Sequence, residues 1–109
     1  MRRISPKQSA RLGEYRKIRE LLYRLNEEEN GGRSEYSGKL ATYSPALDGY
    51  TLEDHHVHGR IGRRLCDPFN QILLTSEEHR AAENNEITKE ELRDKVRPIR
   101  IKQGFKEIT

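Results

Sequence analysis

Glu53, Asp54, His55, His56 and His58 crowd three of the chain's four histidines beside two carboxylates, and Asn70 and the remaining His79 follow downstream. Neutral imidazole is the commonest metal ligand, and its unperturbed pKa of about 6.5 also suits it to moving protons near neutral pH. Adjacent histidines followed by an Asn and a later His therefore point to a divalent-metal site with a built-in general base. Glu83 stands four residues after His79. On a helix the two share a face about one turn apart, the spacing at which one helix offers two ligands to one cation.

Helices and strands must position these groups. Ser5-Pro6-Lys7-Gln8 reads as a helix start, with Ser as cap, Pro at the first helical position and Gln reaching back. Leu12, Tyr15, Ile18, Leu22 and Leu25 then recur at the period of one helix face, and Asn30-Gly31-Gly32 stops the helix. From Arg33 to Leu52 the helical period disappears into turns and short strands at Ser37-Gly38, Ser44-Pro45 and Asp48-Gly49. Glu53 to Val57 reads as a strand, whose alternation sends His55 and His56 to opposite sides. Gly59 to Arg64 reads as a loop, Asp67-Pro68 as a turn and Phe69 to Leu74 as a second strand. Thr75-Ser76-Glu77-Glu78 is a capping box that opens a helix carrying His79 and Glu83, and Thr88 caps another with Leu92 and Val96 inward. Pro98 is expected to end that last helix, leaving a partly disordered basic tail in which Arg97, Arg100, Lys102 and Lys106 face a polyanion.

Composition sets the scale. A chain of 109 residues is one small domain, burying only about two-thirds of the surface its unfolded form exposes. With 32% hydrophobic and 36% charged residues and no Trp, its core must be thin. The net charge of +3 conceals a segregation. Residues 1–24 are strongly basic, the stretch from Glu27 to Asp54 is acidic, and Arg60, Arg63 and Arg64 form a second basic cluster suited to phosphates. Cys66 is the single cysteine, which excludes an intramolecular disulfide and reads as a small buried hydrophobe. Nothing reads as a signal peptide or an apolar membrane span, so a cytoplasmic location is expected.

Taken together, His55-His56-Val57 with Gly59-Arg60, then Asp67-Pro68-Phe69-Asn70-Gln71-Ile72-Leu73-Leu74, then His79, resemble the HNH endonuclease family, especially its small free-standing phage and prophage type. The resemblance covers roughly residues 33–85. It implies an α+β fold, a ββα-metal core that grips one divalent ion and cuts phosphodiester bonds in DNA. The expected organisation is an N-terminal helix with a basic outer face over 1–30, that core over 31–86, and a short helix with a basic tail over 87–109.

Carried onto this chain, the resemblance makes His56 the general base, His55 the metal ligand before it and His79 the helix-borne ligand. Asn70 becomes the residue whose amide braces the loop or, in some members, binds the ion. Glu83 falls where colicin-type nucleases place a second helical histidine. A second register makes Asp54 the ligand and His55 the base. Arg60, Arg63 and Arg64 are expected to clamp flanking phosphates of the DNA partner. Mixed His and carboxylate ligation suits Mg²⁺, Mn²⁺, Ni²⁺ or Zn²⁺. Many relatives also hold a structural zinc with two Cys-x-x-Cys pairs, and the corresponding segments here, Arg33 to Gly38 and Leu74 to His79, contain no thiol. Stability is then expected to rest on the apolar face of the first helix and on the catalytic ion alone. The alternative is a non-catalytic DNA-binding module in which His55, His58, Cys66 and His79 hold a structural zinc, or an accessory packaging or recombination protein using the same core.

Overall fold

Apolar residues at helical spacing from Leu12 to Leu25 produce α1 (Pro6–Asn30), the first element of the computed structural model, which describes residues 6–46 and 49–107. Ser5, the expected cap, lies outside the described residues. Tyr15 and Leu22 are buried on the inner face of α1. The helix ends as the glycines dictate: Gly31 and Gly32 adopt φ of 65° and 77°, left-handed values that cost glycine no Cβ clash.

A short antiparallel pair, β1 (Tyr43–Ser44) and β2 (Gly49–Tyr50), leads into β3 (Glu53–His56), which pairs antiparallel with β4 (Gln71–Leu74). The register sets Glu53 opposite Leu74, Asp54 opposite Leu73, His55 opposite Ile72 and His56 opposite Gln71. Residues opposite one another share a face, so the hairpin has two distinct sides. Ile72 and Leu74 pack with Val57, Ala82, Leu92 and Val96 on one side, whereas Leu73 packs with Leu22, Ala41 and Leu52 on the other. β4 is thus buried on both faces, and its run Ile72-Leu73-Leu74 is continuous rather than alternating for that reason. Each of those side chains is fully buried, a contribution of about 1.5–3 kcal/mol apiece.

The second expected strand is shorter than the sequence suggests. Asp67 caps a 3-10 turn over Pro68–Asn70 by accepting from the Phe69 amide at 2.9 Å, so Phe69 and Asn70 precede the strand. The capping box at Thr75 forms in full and opens α2 (Ser76–Glu83). Thr88 accepts from the Glu91 amide at 3.1 Å and opens α3 (Lys89–Lys102). The fold is α+β, with the β3–β4 hairpin between α1 on one side and α2 with α3 on the other.

Two expectations for the C-terminal region are corrected. Pro98 does not end the last helix, which continues to Lys102 with Pro98 exposed inside it. Arg100 is not a tail cation facing DNA but the largest fully buried side chain. Its Nη1 and Nη2 donate to the two oxygens of Glu35 at 2.7 and 2.6 Å, Nη2 also to the Gln71 carbonyl at 2.8 Å, Nη1 to Gln103 at 3.0 Å and Nε to the Pro68 carbonyl at 2.9 Å. Glu35 Oε1 in turn accepts from the Leu73 amide at 2.8 Å. This anchorage holds the turn beyond Pro98 in helical form, a tertiary override of local propensity.

The thiol-free segments also meet. Ser34 Oγ donates to Glu78 Oε1 at 2.5 Å and accepts from the Tyr36 and Ser37 amides at 3.1 and 3.2 Å. Stability therefore does not rest on α1 and an ion alone. A buried hydroxyl–carboxylate contact and a buried ion pair tie residues 34–35 to α2, β4 and α3. Among the described residues no helix is long and apolar enough to cross a membrane.

Candidate active site

Because β3 alternates, its four residues divide between the two sides of the hairpin. Glu53 and His55 face α2, and Asp54 and His56 face α1. On the α2 side the His55 and His79 rings meet edge to face with centroids 4.9 Å apart. His79 Nδ1 lies 2.9 Å from Glu53 Oε1, and its Nε2 lies 3.1 Å from Glu83 Oε1. The structure thus places His55 and Glu83 beside His79, with Glu53 on its other nitrogen. Burial, with His79 next in weight, pushes the His55 imidazole down to about 4, so its lone pair is free at neutral pH. Hydrogen bonds from Ser76 and His79 hold the Glu53 carboxyl below the usual range.

Two imidazoles and two carboxylates suit a borderline divalent cation by donor chemistry. Glu53 on His79 Nδ1 reproduces the carboxylate–histidine pair that orients a metal-ligating ring through its distal nitrogen. Nε2, turned to Glu83, is the nitrogen that would be left to ligate a cation if Glu83 turned aside. The cluster is closed on itself by the His79–Glu83 contact, and among the described residues no group of three or more His, Cys, Asp or Glu side chains is placed so that it could hold a metal ion.

On the α1 side His56 is buried, with Nε2 at 3.0 Å from the Leu65 carbonyl. A carbonyl only accepts, so Nε2 carries the proton and Nδ1 is the basic nitrogen. The Tyr15 ring packs on the His56 ring at 5.2 Å, and the Tyr15 hydroxyl donates to Asp54 Oδ2 at 3.0 Å. Burial pushes the Asp54 carboxyl up against the opposing pull of His56, and Oδ1 of Asp54 has no hydrogen-bond partner. Asp54 therefore lies on the opposite side of the hairpin from His79.

Asn70 is a positioning residue. Its Oδ1 accepts from the His58 amide, and its Nδ2 donates to the Gly59 and Arg64 carbonyls, each at 2.8 Å. Its amide oxygen and both amide protons thus close the loop after β3, where Gly59 adopts a left-handed φ of 84°. Arg60 lies over the Tyr15 ring at 5.3 Å, and Arg19 lies over the same ring at 5.4 Å. Arg64 Nη1 donates to the His58 carbonyl at 3.2 Å, and Arg63 is exposed in the intervening turn.

Sequence reasoning missed Tyr15 and Arg19 as neighbours of the site. Tyr15 reads there as one more apolar position, and the signal available was an Arg four residues after an aromatic on a basic helix. The alternative zinc set is not gathered. The Cys66 thiol donates to the Arg11 carbonyl of α1 at 3.3 Å, and His58 lines a groove beside Arg64 rather than the His55–His79 cluster. Comparison of the chain with protein-family models, with curated proteins and with solved structures gives no match.

Proposed function

We propose that this chain is a metal-dependent DNA endonuclease that hydrolyses phosphodiester bonds, with β3, β4 and α2 forming the ββα-metal unit its motif resembles. The observation that carries this reading is the division across β3: His55 meets His79 beside Glu83 on one side, while His56 presents a fixed tautomer on the other.

Phosphodiester hydrolysis needs a deprotonated water, neutralised charge on a crowded phosphate, and help for a departing alkoxide. A divalent cation, when bound, supplies the last two as a Lewis acid. His55, His79 Nε2 and Glu83 would hold it, and Glu53 would keep the His79 ring aimed. His56 accepts the water's proton at Nδ1, while the Leu65 carbonyl keeps Nε2 protonated. Tyr15 packs against the His56 ring and restricts its rotation. Arg60, Arg63 and Arg64 hold phosphates flanking the cut. Asn70 fixes the loop that carries these arginines.

The test is relaxation of supercoiled plasmid with Mg²⁺, Mn²⁺, Ni²⁺ or Zn²⁺ and with EDTA. Nicking is expected with at least one metal and none with EDTA. His56→Ala is expected to cut about 10²- to 10⁴-fold more slowly with its melting transition retained. Absence of cutting with every metal, or wild-type cutting by His56→Ala, overturns the reading.

A further inference from the structure

Lys89, Arg93 and Arg97 recur at four-residue steps on α3, so their side chains form one ridge with about one turn between charges. All three are exposed. Arg93 and Arg97 border a groove of about 350 Å³ between α3 and the loop after β3, whose opposite wall holds His58, Arg64 and Asn70. That wall is fixed: Asn70 Oδ1 accepts from the His58 amide at 2.8 Å, and Arg64 Nη1 donates to the His58 carbonyl at 3.2 Å.

The groove is electropositive. Burial and then the charges of Lys89, Arg64 and Arg93 hold the His58 imidazole below its ordinary range. Two carboxylates line the groove as well. Asp67 Oδ1 is engaged by the Phe69 amide at 2.9 Å. Glu107, from the segment after α3, sits with Oε2 2.8 Å from Arg97 Nε. An anion of the chain itself thus occupies one arginine of the ridge.

We infer that this groove is a docking track for the backbone phosphates of a DNA strand, with Arg93 and Arg97 as phosphate ligands, Arg64 closing the opposite rim, and Glu107 as an intramolecular competitor for Arg97. The choice of DNA rests on the nuclease reading. The ridge itself favours a polymer: three charges at regular steps match an anion whose charges repeat along a line better than a single small anion.

The experiment is fluorescence anisotropy of a labelled DNA duplex with the full chain in EDTA, repeated across NaCl concentrations. Arg93→Ala/Arg97→Ala is expected to bind about tenfold more weakly at low salt, with a log–log salt slope shallower by about 2. Arg93→Lys/Arg97→Lys, which keeps both charges, retains the wild-type slope, and circular dichroism melting verifies that both variants fold. Glu107→Gln is expected to bind more tightly than wild type. Binding by Arg93→Ala/Arg97→Ala within about twofold of wild type at unchanged slope overturns the inference. Displacement of DNA by polyglutamate as readily as by unlabelled DNA also overturns it, in favour of an acidic polypeptide. The two readings fail separately: arginine-dependent binding without cutting under any metal removes the nuclease and keeps the groove, whereas metal-dependent cutting by a chain whose binding ignores Arg93 and Arg97 removes the groove alone.

Discussion

Arg100 with Glu35, and His79 with Glu53 and Glu83, are both clusters of nitrogen bases and carboxylates beside the β3–β4 hairpin, but they differ in burial. The Arg100 and Glu35 side chains are 0% and 1% exposed, whereas His79, Glu53 and Glu83 are 23%, 44% and 61% exposed. Every guanidinium proton of Arg100 has an acceptor, and no group there can be exchanged without leaving a buried charge unpaired. Around His79 the carboxylates sit on solvated arms that can re-aim at little cost. The same chemistry makes a strut where water is excluded and leaves rearrangeable contacts where it is not.

Removing one carboxylate from each cluster tests that contrast. Glu35→Leu leaves the Arg100 charge buried and unpaired, and a loss of about 3–5 kcal/mol is expected in urea unfolding. Arg100→Met with Glu35→Leu is expected to recover most of that loss, because two apolar side chains leave no charge behind. A loss below about 1 kcal/mol for Glu35→Leu would remove the contrast.

Ser34→Ala is the next largest. It deprives buried Glu78 of a charge-assisted donor and is expected to cost about 1.5–3 kcal/mol. Burial alone would raise the Glu78 carboxyl, but hydrogen bonds from Ser34, Ser37 and Thr75 outweigh it and hold the group below its ordinary 4.5. The unfolded chain therefore binds this proton more readily than the folded one. The stabilisation is complete above about pH 4.5 and lost as pH falls through the folded value. The stability gap between wild type and Ser34→Ala should accordingly be widest near neutrality and narrow in acid, as measured by urea unfolding at each pH.

In the exposed cluster the effect moves from folding to function. Glu53→Gln removes the carboxylate that orients His79, and divalent-metal affinity is expected to fall about 10- to 100-fold. Its unfolding free energy should stay within about 0.5 kcal/mol of wild type. Glu83→Gln should be smallest in stability, below about 0.5 kcal/mol, because its contact with His79 is an exposed one-turn pair. A larger loss at Glu83 would make that cluster structural as well.

Which parts of this were legible in the sequence follows the range of the interactions involved. Thr75, Thr88 and Gly31-Gly32 act within one turn of chain, and the helices start and stop where those residues direct. Alternation along β3 is equally local, and it separated His55 from His56 as expected. The Glu35–Arg100 pair joins residues 65 positions apart, and an Arg two places after a Pro in a basic run carries no local sign of burial. The strand expected from Phe69 was shortened by a cap at Asp67 whose acceptor role depends on the bend at Pro68. Tyr15 was legible as an inward residue of α1, but its contact with His56 depends on how α1 lies across the hairpin.

The most direct test of the central claim is calorimetric titration of Mn²⁺, Ni²⁺ or Zn²⁺ into the full chain and into His55→Ala, His79→Ala and His56→Ala. One ion per chain is expected for wild type and for His56→Ala, with binding lost in the other two. Unchanged binding by His79→Ala, or binding lost only in His56→Ala, would contradict the division of the two adjacent histidines between a cation site and a base.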